Sequence, residues 1–216
     1  MKPLLQPGRR VATLLLAAAL GGALVGCAPL VVGAAVGTGL VASDRRTSGT
    51  QVEDEAIELK AGNRIDETLG TRVRVSVTSY NRLVLLTGEV ANEADRQRVQ
   101  QLVSGVDKVR SVVNELGITN SPTLSQRTSD AVTTGKVKAG LVDQRELSAQ
   151  SIKVVTERGT VYLMGLVTRR EADLATAVAR DTGGVKAVVR IFEYLSEDEL
   201  RRLQTTPARE AQPKPN

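Results

Sequence analysis

Two stretches of this chain carry the same spaced pattern, and that repeat limits the fold more than anything else in the sequence. Val84, Gly88 and Val90 fall on Val161, Gly165 and Val167, and Gly105-Val106-x-x-Val109 falls on Gly184-Val185-x-x-Val188. Between these anchors the spacing differs by two residues, as surface loops allow. A repeat of this kind means that the chain folds twice in one way, each copy being a single supersecondary unit.

The order of elements within each copy follows from periodicity. A helix is expected from about Val52, with Ile57, Ala61, Ile65 and Leu69 as one apolar face and Glu53, Asp54 and Glu55 in its first turn, where carboxylates suit the helix dipole. Val73, Val75 and Val77 alternate with polar residues as in a half-buried strand. Tyr80-Asn81-Arg82 breaks the run, and Leu83 to Val90 returns as a hairpin. A second helix from about Asn92 points Ala94, Val99, Leu102 and Val103 inward, and Val109, Val112, Leu116 and Ile118 supply a third strand. The same order recurs as a helix over Ser125 to Val142, a hairpin through Arg158-Gly159, a helix over Arg169 to Arg180 and a strand over Val185 to Leu195. The expected fold class is α+β, two α-β-β-α-β domains, each a three-stranded mixed sheet covered by two helices. Their bounds are 51–119 and 124–195, followed by a charged, Pro-containing tail over 196–216 that is expected to be disordered beyond about Gln204.

The amino terminus reads differently. Lys2, Arg9 and Arg10 precede an apolar run from Val11, and small residues lead to Cys27, the one cysteine in the chain. That is the layout of a secretory signal peptide over 1–26. Leu24-Val25-Gly26-Cys27 resembles the lipobox of bacterial lipoproteins, which implies cleavage before Cys27 and acyl chains on it. Two or three such chains anchor stably where one does not. The alternative is an uncleaved membrane-spanning helix, since no charge occurs from Val11 to Ser43, but Pro29 and six glycines between Gly21 and Gly39 oppose it. Residues 27–50 are then a lipidated amino terminus and flexible tether, or its apolar part packs onto a domain. Asp44 to Thr50 is polar and marks a boundary.

Composition excludes several classes. Histidine is absent, so the commonest general base and metal ligand are missing, and with Cys27 acylated no thiol nucleophile remains. Neither a cofactor nor a metal site nor enzymatic activity is expected. There is no Trp and a single Phe, which leaves no stacking platform for nucleic acid. Without the first 26 residues the chain holds 26 basic and 24 acidic residues, so its basic character is partly that of the signal peptide.

The pattern of strand, Gly-x-Val, helix, Gly-Val-x-x-Val and strand resembles the BON domain. Two copies behind a lipobox, with the runs Asp44 to Val52 and Val161 to Ala172, resemble the tandem-BON outer-membrane lipoproteins of Gram-negative bacteria associated with division and outer-membrane stress. The resemblance implies a protein lipid-anchored in the outer membrane and facing the periplasm. It also implies binding of anionic phospholipids such as phosphatidylglycerol and cardiolipin, accumulation at division sites and support of envelope integrity. Its second domain is the one placed to attract headgroups: it has 11 basic and 8 acidic residues, against 9 and 11 in the first.

In that family lipid contact is made by the first helix of the second domain, which here runs through Asp130 to Val142. The resemblance places Lys136 and Lys138 against phosphates and Val132 and Val142 at the acyl boundary, with Gly135 a further lipid-binding candidate on the same helix. The family's aromatic wedge has no counterpart. Its position falls on Val132, which either enters the lipid or belongs to the core. Gly135 and Gly140 weaken the helix by about 1 kcal/mol each relative to Ala. Gly88 and Gly165 read as hairpin or bulge positions, Glu53-Asp54-Glu55 as a helix start, and Arg169-Arg170 as a solvated face or a second headgroup contact. A different function is also open, an adaptor that docks an envelope-assembly or peptidoglycan-remodelling protein through its sheets or its acidic first domain. Oligomeric state is not fixed by the sequence.

Overall fold

The computed structural model describes residues 44–119 and 121–205. The signal peptide, Cys27, the tether up to Ser43 and the tail beyond Thr205 lie outside the described residues. Among the described residues no helix is long and apolar enough to cross a membrane.

Helix α1 spans Ser48–Leu69, β1 Arg74–Tyr80, β2 Leu83–Val90 and α2 Glu93–Ser104; β3 covers Ser111–Asn114 and β4 Gly117–Ile118. The second copy comprises α3 Leu124–Asp143, β5 Ile152–Glu157, β6 Thr160–Val167, α4 Arg169–Asp181 and β7 Ala187–Tyr194. Each sheet is mixed, with β2 or β6 in the centre: β1 pairs antiparallel with β2, which runs parallel to β3 and β4, while β5 pairs antiparallel with β6, which runs parallel to β7. The expected third strand of the first copy is thus split in two. The start of the tail forms a further helix, α5, over Glu197–Thr205.

Both central strands are buried on both faces. Val84, Leu86 and Val90 of β2 meet Ile57, Ala61, Ile65 and Leu69 of α1 and Val99 and Val103 of α2. Val161, Leu163 and Val167 of β6 meet Val137 and Leu141 of α3 and Ala172, Ala175 and Ala179 of α4. The opposite faces meet each other, where Tyr80 and Leu85 pack with Tyr162, Met164 and Ile191. The result is four layers, helices, sheet, sheet, helices, with the repeats back to back. Ion pairs surround this apolar seam: Arg74 with Glu157 (2.8 Å), Arg158 with Glu89 (3.3 Å), Lys153 with Glu58 (2.7 Å) and Arg110 with Glu193.

Four local readings change. Thr47 caps α1, its hydroxyl accepting from the Thr50 amide, so residues 44–50 are a structured lead-in and first turn and not tether. Glu53–Glu55 therefore lie beyond the first turn, and Asp54 points inward, 2% exposed. Ala94 is exposed, and Asp95 holds the buried position on α2. Gly88 is neither a turn nor a bulge residue. Its φ is +118°, and a Cβ there would lie 2.0 Å from the Arg74 carbonyl oxygen, so only glycine lets β1 approach. At Gly165 a Cβ would lie 2.6 Å from the Ser151 carbonyl oxygen, so close approach of the neighbouring backbone again favours glycine.

The turns lie elsewhere. Asn81 and Arg82 in one hairpin, and Arg158 and Gly159 in the other, have positive φ, as tight two-residue hairpins require. Each is held by an aspartate from the first helix of its copy. Asp54 accepts from the Asn81 and Arg82 amides, both at 2.7 Å, and Asp130 accepts from Arg158 and Gly159, both at 2.8 Å.

Candidate functional site

Helix α3 begins at a capping box in which Thr123 and Gln126 satisfy each other's backbone amides. Its inward face is set by Asp130, Thr133, Val137 and Leu141, all buried. Gly140 lies on the α4 side, where a Cβ would come within 2.9 Å of Val178, so this glycine permits the close approach of the two helices. Gly135 is exposed, with nothing within 4 Å of where a Cβ would stand.

The outward face is apolar along its ridge. Leu124, Val132 and Val142 are 72%, 52% and 69% exposed. At about 100° per residue these three lie within roughly 80° of one another, with Gly135 between them. Lys136 falls just outside the stripe beyond Val132, and Lys138 just outside it beyond Val142. Both lysines are exposed, and neither forms an ion pair among the described residues. All five sequence-derived candidates on this helix therefore share its solvent face. Val132 lies on the surface, not in the core. Leu124 belongs to the same stripe and escaped the sequence reading, because the helix begins one residue earlier than periodicity indicated. The cap at Thr123 was the signal that could have found it.

Arg169 and Arg170 are both exposed, as a solvated face requires, and each has a neighbour. Arg169 stacks over the Tyr194 ring at 4.8 Å, and Arg170 pairs with Glu146, just beyond the end of α3.

A corresponding face exists on α1, where Val52 and Leu59 are 65% and 66% exposed. Its surroundings differ: Glu55, Asp66 and Glu67 are exposed there, together with Lys60. The repeats are thus alike in fold and unlike in the charge that flanks their outer helices.

The BON domain family matches this sequence twice, over residues 53–120 and 129–195. The chain belongs to the BON family. This tandem BON protein is 36% identical over 174 residues to the outer membrane lipoprotein DolP of Haemophilus influenzae, covering 80% of this chain and 90% of the relative. It is 32% identical to the 21 kDa hemolysin of Actinobacillus pleuropneumoniae, over 70% of this chain and 79% of the relative. Osmotically-inducible protein Y of Escherichia coli is 28% identical, over 68% of this chain and 76% of its own length. The two matched segments each take in a helix, a hairpin, a second helix and a parallel strand.

Proposed function

We propose that this chain is an outer-membrane lipoprotein, anchored through Cys27 and facing the periplasm, that binds anionic phospholipid without catalysing a reaction. Phosphatidylglycerol and cardiolipin are the ligands, and support of envelope integrity, at division sites, is the role. The observation that carries the lipid reading is the α3 face, an exposed apolar ridge with a free lysine on each side in the more basic of the two domains. The membrane anchor and location rest on the lipobox sequence and on similarity to the Haemophilus outer membrane lipoprotein.

The expected affinity is low. Burying the exposed parts of Leu124, Val132 and Val142 contributes about 1 kcal/mol each, and each lysine near an anionic surface about 1 kcal/mol. The sum is near 5 kcal/mol, a dissociation constant in the high micromolar range. Such a contact is useful to a protein already held at the bilayer, because tethering makes the second contact intramolecular.

The test is flotation of fragment 44–216 with vesicles containing or lacking phosphatidylglycerol, at low and high salt. Salt-sensitive binding that disappears in the double variant Lys136→Glu, Lys138→Glu supports the reading. Binding that survives those changes places the lipid contact elsewhere.

An adaptor role is the second reading, and one observation bears on its form. The two sheets cover each other, so neither sheet face is open to a partner. Among the described residues of the acidic domain, the exposed large apolar side chains are Val52 and Leu59 on α1 and Ile118 on β4, and the α1 pair forms a docking face.

A further inference from the structure

The residues that enter the folded body first are attached to both domains and not only to the one they precede. Arg45 reaches across to the second domain, where its guanidinium donates to both oxygens of Glu171, at 2.8 and 2.6 Å, and to the Leu166 carbonyl at 2.8 Å. Both side chains of this pair are nearly enclosed, 7% and 10% exposed. Arg46 turns the other way. It donates to Asp54 at 2.7 Å and to Asp44 at 2.6 Å, and lies 4.2 Å over the Tyr80 ring. The Tyr80 hydroxyl in turn donates to the Ser151 carbonyl, just before β5. Adjacent arginines thus hold opposite layers of the molecule. Two-oxygen pairing of a guanidinium with a carboxylate fixes direction as well as distance.

We propose that Asp44–Arg46 form a clasp that fixes where the amino-terminal segment leaves the folded body: at the start of α4, beside the carboxyl end of α3. The placement follows from neighbours. Glu171 adjoins Arg170, whose partner Glu146 lies three residues past the end of α3, close in sequence to exposed Val142. Residues 28–43 span at most about 55 Å when fully extended. With the clasp closed, that reach is measured from the second domain and not from the start of α1. The α3 face is then on the side of the folded body from which the anchored segment leaves, which favours its contact with the bilayer. This orienting role rests on the lipid reading of α3, but the clasp itself does not.

The experiment uses the full-length, lipid-anchored protein in nanodiscs containing phosphatidylglycerol. Trypsin cuts after arginine, and enclosed Arg45 and Arg46 are protected while the clasp is closed. Glu171→Gln keeps an oxygen for the Thr168 amide, so it preserves the α4 cap while removing the charge. Cleavage after Arg46 is expected to rise at least ~10-fold in Glu171→Gln and in Arg45→Gln, since proteolysis follows the population of the open form. An environment-sensitive dye on Val142→Cys should report an apolar surrounding in the wild-type background and lose most of that signal in either clasp variant. If cleavage is equally rapid in wild type and variants, the clasp is refuted. If cleavage responds but the dye signal does not change with the variants, the clasp stands and its orienting role is refuted. If fragment 44–216 fails to bind phosphatidylglycerol vesicles while cleavage still responds, the clasp stands and the lipid reading falls.

Discussion

Removing the carboxylate of Asp54 tests how each repeat is held together, because Asp130 supplies an internal comparison. Asp54 accepts four hydrogen bonds: from the Asn81 and Arg82 amides, from the Ser79 hydroxyl at 2.6 Å and from Arg46. Asp130 accepts the two equivalent amides of its own hairpin. A hydrogen bond to a charged group contributes about 1.5–3 kcal/mol, and less where water reaches the donor left behind, as at these turns. Asp130→Ala should therefore cost about 2–3 kcal/mol, and Asp54→Ala about 4–5 kcal/mol. With urea slopes of about 2 kcal/mol/M, these correspond to midpoint shifts near 1 M and 2 M. Equilibrium urea unfolding followed by far-ultraviolet circular dichroism at pH 7 reads both. The Asp54 effect should also depend on pH with a definite sign. Burial pushes this carboxyl up, but the Ser79 hydroxyl, the Arg82 amide, Arg46 and the Asn81 amide together hold it below the usual range. Its contribution is therefore complete above about pH 4 and fades only as pH falls through that lowered value. The gap between wild type and Asp54→Asn should be constant from pH 7 to about 4 and close below it. An Asp130→Ala loss equal to or larger than that of Asp54→Ala, or losses below about 1 kcal/mol in both, would refute the account of the aspartates as hairpin holders.

Two glycines should respond in opposite directions. Gly88→Ala drives a methyl into the Arg74 carbonyl and should cost more than about 3 kcal/mol, whereas Gly135→Ala, open on a helix, should add about 0.5–1 kcal/mol; thermal melts check both. Met164→Ala, at the buried seam between the sheets, should cost about 3 kcal/mol in the same urea assay. Glu157 is pushed up by burial, and Arg74 opposes this while Glu89 and Asp130 reinforce it. A raised carboxyl favours the fold below about pH 4.5 and loses that contribution as pH rises. Glu157→Gln should therefore be at least as stable as wild type at pH 7, the difference shrinking toward acid, as melts across pH 4–7 will read.

Much of each repeat was legible because its signals are local. Ile57, Ala61, Ile65 and Leu69 recur at helical spacing and do form the buried face of α1. Alternation and turn residues placed both hairpins. What escaped depends on contacts distant in sequence. The runs Leu83 to Leu86 and Val161 to Leu166 are apolar without alternation, which is the mark of strands covered on both sides, yet nothing local names the second cover. That cover is the other repeat. Asp54 reads as a helix-start carboxylate because three of its four partners, Ser79, Asn81 and Arg82, lie more than twenty residues away at the end of β1 and in its turn. On α3, the lysines and valines came from family resemblance, while Leu124 was hidden by an uncertainty of one residue in the helix start.

The sheet-against-sheet seam also bears on how such a chain is made. Chain order puts the first repeat ahead of Tyr162, Met164 and Ile191, so until those residues have folded Tyr80 and Leu85 present a wet apolar sheet to whatever is nearby. The second repeat acts as a built-in chaperone that arrives late. A chain that ends after the first repeat has no residues to cover Tyr80 and Leu85, and an uncovered apolar sheet of that kind is a site for association.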